Sequence, residues 1–155
     1  MANSMSESEL KALVSQMRLW GRDLGFQQLG ISDTDLSASE QKLHEWLDAG
    51  HHGDMAWMAS HGLKRSRPAL LETATQSIIS VRMDYLQPDA ADAEMVLNHP
   101  NLAYVSRYAI GRDYHKVMRS KLKQLAQKMQ ESIGEFGYRA FVDSAPVLER
   151  ALAQR

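Results

Sequence analysis

Apolar residues near the start of the chain recur at helical spacing: Leu10, Leu13, Val14, Met17 and Leu24 share one face. Ser6 and Glu9 stand ahead of them at the spacing of a capping box, and Gly25 follows where a helix can end at positive φ. This pattern predicts a first helix, and Phe26 to Ile31 then reads as a short strand. A second capping-box spacing, Ser37 with Glu40, precedes Leu43, Trp46 and Leu47, and His51-His52-Gly53 breaks that helix. Residues 54–60 could add one or two turns. Ser77 to Leu86 is rich in β-branched residues and is the strongest strand signal. A long connection over 87–101, holding Pro88 and Pro100, suggests a functional loop or a short helix. Tyr104 to Tyr108 reads as a strand. Residues 114–136 form a long amphipathic helix with Val117, Met118, Leu122, Leu125, Met129 and Ile133 on its stripe. Tyr138 to Val142 reads as a final strand. Asp143 or Ser144 then caps a last helix, with Pro146 in its first turn.

Helices and strands therefore alternate without an internal repeat, and the expected fold class is α+β, a single domain with a sheet flanked by helices. The 155 residues suffice for one buried core. Residues 1–5 are expected to be a loose tail. Residues 1–10 lack both a basic start and an apolar run, so no secretory signal is expected. No run of roughly 18 apolar residues suggests a membrane span. A cytoplasmic location is expected. A formal net charge of -1 excludes whole-surface attraction to nucleic acid, so any RNA contact must rest on a local basic patch. The chain has no cysteine, which excludes disulfides, thiolate zinc sites and cysteine-held iron–sulfur clusters within it.

Three stretches could carry chemistry. The densest is SRYAIGRDYH, 106–115, where a strand passes through Gly111 into the mouth of the long helix. The free N–H groups there could hold a phosphate or an amide oxygen. Asp113, Tyr114 and His115 would add an acceptor, a stacking surface and a tunable donor. On spacing alone the plainer reading is favoured, with Asp113 only an N-cap and Tyr114 a core anchor. The second stretch is VDSAPVLER, 142–150. A carboxyl such as Asp143 at a strand end can act as a general acid if its surroundings favour the proton. Arg150, two helical turns later on nearly the same face, could clamp an anion or an amide. The plainer alternative is a capping Asp and a solvated Arg. The third stretch, HGLKRSRP at 61–68, holds Lys64, Arg65 and Arg67 before Pro68 and reads first as an exposed basic loop. His51 and His52, being adjacent, do not face one metal, and MAWM at 55–58 reads first as core. The lysines and arginines of the long helix read as its solvated face, some of them open to an RNA backbone.

Taken together these stretches resemble the epoxyqueuosine reductase family. The similarity runs from WGRDLGFQQLGISDTDL (20–36) through WLDAGHHGDMAWM (46–58), RSRP (65–68) and SVRMDYLQP (80–88) to SRYAIGRDYHKVMR (106–119) and FVDSAPVLER (141–150). The resemblance implies an N-terminal domain, residues 1–155, that binds cobalamin in a base-off form. It implies reduction of epoxyqueuosine to queuosine at the wobble position of a tRNA anticodon stem-loop. Electrons would come from two 4Fe–4S clusters in a following iron–sulfur domain whose cysteines this chain does not carry. By motif, Asp143 would be the proton donor, and Arg65, Tyr108, Asp113, Tyr114, His115 and Arg150 would line the corrinoid or the substrate. Because the chain ends at LERALAQR, a truncated form, a split gene or a fragment is expected, inactive alone. A stand-alone corrinoid-binding module without redox activity is the alternative.

Overall fold

The computed structural model describes residues 5–86 and 89–154. The tail expected over residues 1–5 lies outside these except for Met5, as does Pro88. Helix α1 is Glu7–Asp23 and begins as its sequence predicts. The Ser6 hydroxyl accepts from the Glu9 N–H at 3.3 Å, and the Ser6 N–H donates to the Glu9 carboxylate at 2.7 Å. Gly25 ends it at φ +86°, a conformation that resists side chains. The ammonium of Lys121 donates to the Leu24 carbonyl, a cation placed at the negative end of the helix.

Strand β1, Gln28–Ser32, pairs antiparallel with β2, Ile78–Arg82, with Gly30 opposite Ser80. Helix α1 and the long helix α4, Tyr114–Ile133, pack together beside this pair. Met17, Leu29, Leu125 and Met129 form the shared core, and Leu13, Trp20, Ile79 and Val81 surround it. Leu13, Met17, Leu125 and Met129 are stripe residues of the two helices, which is why the periodicity located them, while Leu29, Ile79 and Val81 come from the strands. The described residues thus form a mixed helix-and-strand fold with one two-stranded sheet.

Helix α2 is Ser37–Asp48, but its expected capping box does not form. Leu36 occupies the N-cap, and the Ser37 N–H donates to Asp35 instead, at 3.0 Å. Glu40 faces across the fold to Arg67, with two hydrogen bonds of 2.9 and 3.0 Å, and to the Ser66 hydroxyl. A charge-assisted, two-point pair is stronger than a local cap, so the tertiary partner takes the carboxylate. The Arg67 hydrogen bonds, with the Ser66 hydroxyl, lower the Glu40 pKa from 4.5 to about 2. A lowered carboxylate pKa stabilises the fold fully above the unfolded value and is lost as pH falls through the folded one. The stability difference between the native chain and Glu40→Gln, measured by urea unfolding, should therefore hold at neutral pH. It should shrink below about 4.5 and largely vanish near 2.

Two predicted strands are not strands. Residues 104–108 run into a 3-10 turn at Arg107–Ala109, with Tyr104, Val105 and Tyr108 exposed. Residues 138–142 are irregular, although Val142 is buried. A strand exists only with a ladder partner, and among the described residues β2 is paired on one edge alone, by β1. Residues 87–101 do contain a short helix, α3, Ala93–Leu97. Helix α4 stops at Ile133, three residues before the expected end. The last helix, α5, is Glu149–Ala153 with Leu148 at its N-cap, so neither Asp143 nor Ser144 caps it and Pro146 lies outside it. Residues 142–147 instead make tight turns, closed by Ser144 N–H to the Val142 carbonyl and Val147 N–H to the Ala145 carbonyl. No helix of the described residues is long and apolar enough to cross a membrane.

Candidate active site at Asp143

Gly111, at φ +91°, turns the chain into Asp113, which caps α4 by accepting the His115 N–H at 3.0 Å. The helix N-terminus expected to receive a phosphate is thus already served by a carboxylate. The same Asp113 oxygen lies 3.0 Å from Nδ1 of His115. His115 also stacks on Tyr114, ring centres 4.0 Å apart, and Tyr114 meets Tyr108 edge-on at 6.1 Å. The α4 entrance therefore presents a fixed Tyr114–His115 pair, with Tyr108 largely exposed beside it.

Asp143 comes to this pair from 29 residues further along the chain. Its Oδ2 accepts the Tyr114 hydroxyl, and its Oδ1 lies 2.8 Å from Nε2 of His115. The backbone of Asp143 is left-handed, φ +39°, which costs a non-glycine residue on the order of 1–3 kcal/mol unless the surroundings impose it. Its own N–H donates to Oε1 of Glu149 at 3.2 Å. Two side chains thus touch the Asp143 carboxyl, Tyr114 and His115, with Asp113 behind His115, while Glu149 meets the Asp143 backbone.

The charges in this group are ordered. The hydrogen bond from His115 holds the Asp113 carboxyl below its ordinary pKa, so Asp113 is an anion that only accepts. In that contact Nδ1 of His115 is therefore the donor, and Nε2 faces Oδ1 of Asp143. The hydrogen bond to Asp143 raises the Tyr114 hydroxyl to about 12, so Tyr114 stays a donor. Glu149 is exposed as a residue, yet loss of water around its carboxyl pushes its pKa up. Glu149 is the contact that sequence reasoning missed, since no regular spacing places residue 149 against residue 143.

Beside Asp143 opens a cavity of about 930 Å³. Tyr114, Asp143, Glu149 and Arg150 stand among its walls, with β2, the apolar stripe of α4 and residues 136–143 supplying a mostly apolar lining. Arg150 is exposed and reaches this cavity from α5, not from a helix shared with Asp143. Arg65 does not lie in an exposed loop. It is 6% exposed, and its guanidinium donates to the Met58 and Trp57 carbonyls at 3.0 Å and rests 5.4 Å from the Trp57 ring centre. Met55 and Trp57 are themselves exposed, so 55–58 is not core. On α4, Lys116, Arg119 and Lys123 face solvent, whereas Lys121 is committed to Leu24. Among the described residues no three His, Asp or Glu side chains converge as a metal site.

A family model described as epoxyqueuosine reductase QueG, DUF1730, matches residues 65–144, just over half of the chain and inclusive of Asp143. The chain belongs to the epoxyqueuosine reductase family. An epoxyqueuosine reductase of Pseudomonas aeruginosa is 54% identical over all 155 residues, which cover 43% of that protein. An epoxyqueuosine reductase of Escherichia coli is 53% identical over 152 residues, 97% of this chain and 40% of that one. The chain thus spans about two fifths of the length of these relatives. A solved structure of epoxyqueuosine reductase from Streptococcus thermophilus superposes on 92% of the chain with a TM-score of 0.71 at 21% identity, covering 38% of that structure. At that identity the likeness concerns the fold.

Proposed function

We propose that these residues form the acid-bearing, corrinoid-facing part of an epoxyqueuosine reductase that acts on epoxyqueuosine in a tRNA anticodon stem-loop. The observation that carries this reading is the Asp143 carboxyl, gripped by Tyr114 and His115 at the wall of a broad apolar cavity. A corrin is a wide, mainly apolar macrocycle rimmed by amides. A cavity of about 930 Å³, at the upper end of ordinary ligand pockets, mostly apolar and with scattered polar side chains among its walls, suits it. Tyr114, Arg150 and the apolar stripe of α4 would hold base-off cobalamin, with Tyr108, Asp113 and His115 at its approach.

A reduced cobalt corrinoid would supply the electron pair with which an epoxide loses its oxygen as water, a change that also consumes two protons. The protein's part is the proton. Nε2 of His115 lies 2.8 Å from Oδ1 of Asp143, close enough for a proton to pass between them. Asp143 delivers that proton to the epoxide oxygen, and the Tyr114 hydrogen bond keeps the carboxyl aimed and steadies the anion left behind. The second proton would come from water, which could also reload Asp143 through the part-exposed His115 ring. Any iron–sulfur cluster must be held by residues outside these 155, since none of them is cysteine.

Titrating the protein with cob(II)alamin should move the absorption spectrum to the base-off form. Asp113→Ala should weaken that change by freeing His115, and Arg65→Ala should weaken it by loosening the 57–65 turn. No spectral change at high protein concentration would remove the corrinoid pocket from the proposal. Binding without epoxide reduction, even when the iron–sulfur part is supplied, would favour a corrinoid-binding module instead.

A further inference from the structure

Asp143 is strained, and the strain is held from one side by a residue that the acid chemistry does not use. The tight turn around it is closed by Ser144 donating to the Val142 carbonyl, which leaves the Asp143 N–H pointing out of the turn. That N–H finds Oε1 of Glu149 at 3.2 Å. Glu149 begins α5, and α5 is anchored twice. Leu152 is 3% exposed within the fold, and the Leu148 N–H donates at 3.0 Å to the backbone carbonyl of Arg65. Arg65 is in turn fixed by its guanidinium to the Trp57 and Met58 carbonyls. A continuous strut therefore runs from the buried Arg65 through Leu148 and Glu149 to the backbone of Asp143.

We infer that Glu149 is a positioning residue, whose carboxyl acceptor holds the Asp143 backbone in its left-handed conformation and so aims the acid at the cavity. The inference rests on the reading of Asp143 as proton donor, but the contact it names can be tested apart from it. Without the acceptor, Asp143 would relax toward ordinary negative φ, and its carboxyl would swing off the Tyr114–His115 pair. An acid at the first turn of α5 also suits the helix dipole. That role would need only a charge, which an amide lacks, and would not require the Asp143 N–H as donor. The raised pKa of Glu149 fits a carboxyl set against the protein rather than free in water.

The test compares Glu149→Ala, which removes the acceptor, with Glu149→Gln, which keeps an oxygen in the same place, both in the complete reductase. Glu149→Ala should lower kcat for epoxyqueuosine tRNA by about ten- to a hundredfold with KM little changed, as expected for a misaimed group. It should also speed amide hydrogen exchange at Asp143, and Glu149→Gln should restore both to near the native values. Native kcat and native exchange in Glu149→Ala would overturn the inference, as would a Glu149→Gln enzyme as impaired as the alanine variant. If Glu149→Ala does not fold, Glu149→Gln alone decides, since it must keep both native kcat and slow exchange. Asp143→Asn separates the two claims. Full activity there would end the acid reading, while the exchange rates would still decide whether Glu149 holds the Asp143 backbone.

Discussion

Asp143→Asn in the complete reductase should lower epoxide reduction by about 10²–10⁴-fold, the range for loss of a general acid, while corrinoid binding stays close to native. The amide is well chosen by the geometry. Its oxygen can accept the Tyr114 hydroxyl as Oδ2 does, and its NH₂ can donate to Nε2 of His115 as a protonated Oδ1 would. The left-handed backbone suits Asn at least as well as Asp, so the turn should survive. What disappears is the transferable proton. Single-turnover assays on epoxyqueuosine tRNA would measure the loss, and the cob(II)alamin spectrum would report the pocket. Equal turnover by the two proteins would remove Asp143 from the chemistry. Asp143→Ala is the less informative variant, because it also releases Tyr114 and His115.

Phe26→Ala should destabilise the fold by about 3–5 kcal/mol, the usual range for emptying a buried aromatic site. Phe26 is 2% exposed and is the largest fully buried side chain of the described residues. It sits directly after the left-handed Gly25, with its N–H bonded to the Gly21 carbonyl at 2.9 Å, so the backbone there has little freedom to close the void. A loss of that size is a large part of the roughly 5–15 kcal/mol that holds an ordinary domain together. Urea unfolding would measure it. A change under 1 kcal/mol would show that the α1–β1 junction collapses onto the gap, and Phe26→Leu should lie between the two proteins. The prediction concerns the scaffold and is independent of any cofactor.

The helices were legible because their signals are local. Ser6 with Glu9 encodes its cap within four residues, and the stripes of α1 and α4 supply Met17, Leu125 and Met129 to the core as periodicity predicts. The same kind of signal failed at Ser37 and Glu40, where the spacing is right but Arg67, 27 residues away, offers Glu40 a stronger partner. It failed again at 104–108 and 138–142. Alternating and β-branched residues state a preference for extended backbone, but a strand needs a neighbour, and nothing local names one. At the site, the motifs brought out Asp113, Tyr114, His115 and Asp143 as separate candidates, all but His115 with a structural alternative. Asp113 proves to be an N-cap whose carboxylate also meets the His115 ring.

The order of residues alone determined the ends of α1, the apolar faces that meet in the core and the family to which the chain belongs, since each is written in short spacings and contiguous motifs. Only the tertiary structure decided that Tyr114 and His115 grip Asp143, that Glu149 holds its backbone, and that Arg65 is buried rather than displayed. These are contacts between side chains far apart in the chain. Their free energy depends on distance and direction in space, which no one-dimensional pattern carries.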